Sequence, residues 1–99
     1  MRYNFDWNSA KEKQNIRKHQ INFRLASTVF RDQYQLSLYD EEHSDYEDRW
    51  ITISLDETGI LRVVIHTFEQ TEEDSCLIRI ISARKATFNE QQYYQGRKL

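Results

Sequence analysis

The sequence predicts an α+β fold, with two N-terminal helices, an antiparallel sheet of about four strands and one C-terminal helix. Three observations predict it. Apolar residues recur at helical spacing through the first third of the chain, alternation with polar residues begins at Tyr34, and Thr87 with Glu90 forms a capping box that opens a last helix. Helices, then a meander, then a helix argue against a doubly wound sheet. There is no proline, internal repeat or linker-like stretch, so residues 1–99 read as one domain, of a size that supports a single modest core.

Phe5 and Trp7 alternate with polar neighbours, as in a short strand or extended arm. Asn8 or Ser9 then offers an N-cap for a first helix reaching about His19. At 3.6 residues per turn Lys11, Asn15 and Lys18 share a stripe, with His19 at its border. This helix presents a polar, basic face and has little beyond Ala10 and Ile16 to bury. Gln20-Ile21-Asn22 interrupts the pattern, with Asn22 as the next cap, and Phe23, Ala26, Val29 and Phe30 mark a core-facing second helix over 23–31.

From Tyr34 the period is two, and Tyr34, Leu36 and Leu38 read as one side of a half-exposed strand. Asp40–Asp45 is a charged loop. Glu47, Arg49, Ile51, Ile53 and Leu55 share a face of the second strand, which puts a carboxylate and a guanidinium at the head of an apolar row. Asp56-Glu57-Thr58-Gly59 has hairpin-turn chemistry, with Gly59 suited to positive φ. Residues 60–68 form the third strand, Glu69–Asp74 an acidic loop, residues 76–83 the fourth strand, and Phe88 to Gln95 the closing helix before Gly96.

The hydrophobic fraction is 38% and the aromatic fraction 13%, so the core relies on rings such as Trp7, Phe23, Phe30 and Trp50. The N-terminus lacks the apolar segment of a signal peptide, and no run approaches the ~20 residues of a membrane span, which points to a cytoplasmic protein. Cys76 is the one cysteine, which excludes an internal disulfide, and His19, His43 and His66 do not space with it as zinc ligands do. No metal and no cofactor is expected. The net charge of −2 hides a segregation: residues 1–31 carry seven Lys and Arg against two acids and residues 77–99 five against one, whereas the middle is acidic. If the two ends meet, they form one basic face.

Arg79-Ile80-Ile81-Ser82-Ala83-Arg84 is a buried-strand composition carrying two arginines, followed at once by the capping box. Such arginines serve either as ion-pair scaffolding or as a phosphate-binding pair. The chain as a whole resembles the BrnT family of bacterial toxins, the ribonuclease partners of type II toxin–antitoxin pairs. The resemblance runs nearly end to end. It rests on Phe5-Asp6-Trp7, then Lys11, Asn15, Lys18-His19 and Phe23 with Ala26, then His43 through Arg49, then Val63-Val64 with Thr67, and on Arg79 through Arg84 with Ala86, Glu90 and Tyr93. It implies a RelE-like fold, metal-independent endoribonuclease activity that inhibits translation, and neutralisation by a BrnA-type antitoxin through which alone the chain reaches DNA. Four positions depart from the family: Gln20 and Ser54 stand where it usually has glycine, and Glu69 and Gln91 where it commonly has arginine.

RNA is cut without a metal when its own 2′-hydroxyl is deprotonated and attacks the adjacent phosphate, which requires a base, an acid and cations for the developing charge. Candidates for this catalytic set are Lys18, His19, Glu47, Arg49, Arg79 and Arg84. Lys11, Asn15, Lys18 and Lys85 are candidates for holding the RNA. Glu47 and His19 both remain open as the base; an imidazole titrates near neutrality, at about 6.5 in solution. A regular strand would send Arg79 and Arg84 to opposite faces, so a shared site requires the chain to turn near Ala83. The alternative function is a non-catalytic toxin-fold module that acts as co-repressor or decoy with its antitoxin.

Overall fold

Alternation of Tyr3, Phe5 and Trp7 makes the N-terminus a strand, β1 (Arg2–Trp7), in the computed structural model, which describes residues 1–98. Asn8 caps α1 (Ser9–His19) by accepting from the Lys11 N–H at 3.0 Å. Asn22 does the same for α2 (Phe23–Ser27), accepting from Leu25 N at 2.7 Å. The expected second helix stops early and tightens into a 3-10 turn (Thr28–Arg31). Strands β2 (Leu36–Tyr39), β3 (Arg49–Leu55), β4 (Leu61–Thr67), β5 (Glu69–Glu72) and β6 (Ser75–Lys85) follow, and α3 (Phe88–Lys98) closes the described chain. Asp56 and Gly59 form the β3–β4 turn, with Gly59 at φ 84°.

The sheet corrects the expectation of four antiparallel strands. It has six, in the order β1-β6-β4-β3-β2 with β5 also on β6, and β1 runs parallel to β6. Parallel neighbours need a long crossover, so the partner of β1 leaves no local trace in the sequence. Glu69–Asp74 was expected as a loop, but Glu69–Glu72 pairs by backbone alone, with every side chain exposed. Such charged edges resist further strand addition. Three smaller corrections concern boundaries. Tyr34 precedes β2, Glu47 precedes β3 in the connecting loop, and α3 passes through Gly96.

Register assigns each side chain to a face. On one face α2 and the 3-10 turn bring Phe23, Ala26, Val29 and Phe30 onto Val64, Ile78, Ile80 and Ala83, and Phe5 and Trp7 pack at the margin. On the other, Tyr94 of α3 covers Ile53 and Val63, flanked by Ile51, Leu55, Leu61 and Ile65. Each fully buried large side chain contributes about 1.5–3 kcal/mol. Ile16, expected to be buried, is 42% exposed. What fastens α1 to the sheet is a polar residue instead.

Candidate active site

A β-bulge decides where the two arginines of β6 point. Ile65 pairs with Ser82 and His66 with Ile80, which leaves Ile81 as the extra residue. Ile80 and Ala83 therefore both enter the helix-covered core. Arg79 and Arg84, one step outside each of them, share the opposite face. At about 3.3 Å of rise per residue their Cα atoms lie roughly 15 Å apart. The bulge at Ile81 supplies the change of face that a regular strand would deny them.

Around Arg79 the sheet gathers an acid and a second cation. Glu47, from the β2–β3 loop, bonds the Arg79 guanidinium with one carboxylate oxygen and stands 3.6 Å from Arg49 with the other. Arg49 pairs across the sheet with Thr67, whose Oγ1 accepts from the Arg79 N–H at 3.2 Å. The Arg49 Nε–H is buried with no hydrogen-bond partner among the described residues. An orphaned donor of this kind costs about 1–3 kcal/mol.

Arg84 is held in another way. Its two terminal nitrogens donate to the two oxygens of Glu90 at 2.8 and 2.9 Å. Glu90 is itself fixed at the start of α3, accepting from Thr87 N at 2.7 Å while its own N–H donates to Thr87 Oγ1 at 3.2 Å. The Arg84 hydrogen bonds, opposed by burial and joined by those of Thr87, pull the Glu90 carboxyl down to about 2, and Glu90 in turn raises the guanidinium.

The first helix reaches Arg84 through Asn15. Strand β1 ends beside Ile80, so β6 beyond that point lacks β1 as a neighbour. Asn15 takes the place of a strand there: its Oδ1 accepts from Ala83 N at 3.0 Å, and its Nδ2 donates to Ala83 O at 2.9 Å and to Ile21 O at 3.0 Å. Asn15 is therefore buried, its amide is spent on these bonds, and it fastens α1 to β6 at the wall of the second of two hollows. Its stripe neighbours remain at the surface. Lys18, His19 and Arg84 line two adjoining hollows of about 650 and 460 Å³; the first adds Arg62, Lys85 and Thr87, the second Lys11, Gln14 and Ser82. The basic N-terminal helix and the C-terminal half of β6 thus form one cleft, which does not include Arg79.

Two contributors had a weaker trace in the sequence. Glu90 reads there as a capping residue, and its grip on Arg84 follows only from the short path between strand and helix. Arg62 reads as one cation in an apolar strand, yet it is buried against Asp56 at 2.8 Å and forms part of the cleft wall. Burial alone would raise the Asp56 carboxyl, but hydrogen bonds from Thr58, Arg62 and Ile60 outweigh it and hold it low. Among the described residues, no three His, Cys, Asp or Glu side chains gather as a metal site would need. No helix among them is long and apolar enough to cross a membrane.

A sequence profile described as "Ribonuclease toxin, BrnT, of type II toxin-antitoxin system" matches residues 7–90. The chain belongs to the BrnT family. Its fold is similar to that of the Brucella abortus ribonuclease toxin BrnT, known from a crystal structure at 1.1 Å resolution, with a TM-score of 0.59 and 20% identity over 88% of this chain and 99% of that one. No curated protein sequence matches it. The family is one of ribonuclease toxins of type II toxin–antitoxin systems. Two departures from the family pattern have local explanations. Gln20 sits at the C-cap of α1 with φ 56°, a left-handed conformation in which glycine is unstrained. Ser54 is buried, and its hydroxyl donates to Val29 O at 2.6 Å, tying β3 to the 3-10 turn.

Proposed function

We propose that this BrnT-family chain is a metal-independent endoribonuclease that acts in the cytoplasm, inhibits translation, and is neutralised by a BrnA-type, DNA-binding antitoxin. The observation that carries this reading is the bulge at Ile81, which returns Arg79 and Arg84 to one face so that a single RNA strand can meet both. Their separation of roughly 15 Å divides the labour. One cluster does the chemistry and the other grips flanking phosphates.

We assign the chemistry to Glu47, Arg49 and Arg79, because a carboxylate and two guanidiniums already touch there and Arg49 holds an unspent N–H. An entering phosphate replaces Glu47 on Arg79 and satisfies Arg49 Nε. The freed carboxylate takes the 2′-hydroxyl proton, the 2′-oxygen bonds to phosphorus, and the 5′-oxygen leaves with a proton from water. The guanidiniums carry the charge that develops on the phosphoryl oxygens. Lys11, Lys18, His19, Arg84 and Lys85 hold the neighbouring nucleotides, and Asn15 holds α1 in place for them. His19 is the competing candidate for the base; if it acts, the chemistry moves into the cleft beside Arg84.

A second reading is favoured by one specific observation. Both arginines already have carboxylate partners, Glu47 and Glu90. In that reading the chain is a non-catalytic module that works with its antitoxin as co-repressor or decoy. Incubating purified, antitoxin-free protein with RNA in excess EDTA separates the two. Cleavage is expected; intact RNA alongside folded protein that still binds its antitoxin would establish the decoy.

A further inference from the structure

The sheet face that receives α2 is only partly covered. Toward β2 it opens into an apolar hollow of about 240 Å³ lined by Tyr3, Phe30, Trp50, His66, Phe68 and Ile78. Tyr39 extends it, meeting Trp50 edge-on with centroids 5.3 Å apart. Tyr3 and Phe68 are each 40% exposed and Tyr39 43%, which is unusual for rings that adjoin one another in a chain otherwise poor in apolar residues.

The polar groups of the floor are already spent. His66 Nδ1 donates to Thr67 O at 2.8 Å, so its Nε2 accepts from the Thr52 hydroxyl at 2.6 Å, and Thr52 accepts in turn from Ser37 at 2.7 Å. Such a floor suits an apolar side chain better than a nucleobase, which needs hydrogen-bond partners. The hollow also lies on the opposite face of the sheet from Arg79 and Arg84.

Charge at the rim selects the occupant. Tyr39 donates to Asp48 at 2.9 Å. Glu41, Glu42 and Asp45 stand exposed in the same loop, and Phe68 leads directly into the exposed, acidic β5. RNA is repelled there, and a second copy of the chain would set acidic rim against acidic rim. A basic amphipathic segment satisfies both the rings and the rim.

We infer that this aromatic hollow is where the antitoxin docks, seating apolar side chains of a basic segment between Trp50, Tyr39 and Phe68. The inference rests on the reading that a protein antitoxin neutralises this chain. Glu47 and Asp48 are neighbours in one loop, so a partner that engages Asp48 also fixes the loop that must release Arg79. Neutralisation would then work from the face opposite the RNA.

The test measures binding of the chain to a separately purified BrnA-type antitoxin. Phe68→Lys and Tyr39→Lys each remove an exposed ring and set like charge against a basic partner, and each should weaken binding on the order of 100-fold, as loss of an aromatic anchor does. Phe68→Leu should stay within about threefold. The two Phe68 variants should melt as the wild type does and cleave RNA at its rate, since Phe68 belongs neither to the cleft nor to the Glu47–Arg49–Arg79 cluster, whereas Tyr39→Lys also loses the bond to Asp48 and is read for binding alone. Wild-type affinity in both lysine variants would overturn the docking surface while leaving the antitoxin reading intact. Failure of the wild type itself to bind would overturn both. A dimer of the free chain that Phe68→Lys dissolves, seen by sedimentation, would assign the hollow to self-association and overturn the inference.

Discussion

Arg79 and Arg84 come from one strand and one face, yet the protein holds them by opposite means. Arg79 is paired by a residue of an exposed loop, and Glu47 divides its two oxygens between two guanidiniums. Arg84 is gripped by both oxygens of a carboxylate that is locked into the first turn of a helix. Half-exposed, divided pairs contribute about 0–1 kcal/mol, whereas bidentate pairs are stronger and geometrically fixed. The difference teaches which cation is free to exchange its partner. A site that must trade a carboxylate for a phosphate in each turnover belongs where the carboxylate is loosely held.

The largest expected effect tests this directly. Arg79→Ala should lower single-turnover RNA cleavage by on the order of 10²–10³ while leaving the melting temperature nearly unchanged. Arg84→Ala should instead weaken RNA binding and also destabilise the fold, because Glu90 loses its partner. Equal losses of rate in both, at unchanged RNA affinity, would break the comparison. Glu47→Gln against His19→Ala then identifies the base: the former should abolish cleavage despite freeing two guanidiniums, and the latter should reduce only affinity. The reverse pattern would place the chemistry in the Lys18–His19 cleft.

Second in size is the fastener between the two regions. Asn15→Ala leaves the N–H and C=O of Ala83 without their partner in a buried setting, at about 2–3 kcal/mol. Chemical denaturation should report that loss in full. If stability is unchanged, α1 is held by other contacts and the cleft around Arg84 does not depend on this amide.

These two regions were unequally legible in the sequence. Local signals located these elements: side-chain period and composition for α2, β3 and β4, and capping residues for α1 and α3. They could not pair β1 with β6 or recognise β5, since long-range pairing and an all-polar edge leave no local period. The candidate site was legible as residue types, and its division was not. That depends on Ile81, an ordinary apolar residue in a strand of branched side chains, and nothing in its identity announces a bulge. Asn15 reads in the sequence as a candidate RNA ligand on a polar stripe, because an amide that substitutes for a strand looks there like any polar surface residue.

The smallest effect sharpens the comparison from the Arg84 side. Glu90→Gln should reduce stability by about 1 kcal/mol, a figure discounted for solvent screening because the Arg84 side chain is 39% exposed, and it should strengthen RNA binding by releasing the guanidinium. Its pH dependence has a definite sign. Folding depresses the Glu90 carboxyl from an ordinary 4.5 to about 2. The stability it contributes is therefore complete above 4.5 and disappears as pH falls toward 2. His66 also titrates on the acid side, since burial lowers it below its ordinary 6.5 and acid then favours the unfolded chain. Both proteins carry His66, so the difference between their denaturation free energies cancels its contribution. That difference should be flat from pH 7 to about 4.5 and should close progressively below it. A difference that stays constant to pH 2.5 would mean that Glu90 acts through its capping hydrogen bonds alone, which glutamine can imitate in part, and that Arg84 is as loosely held as Arg79.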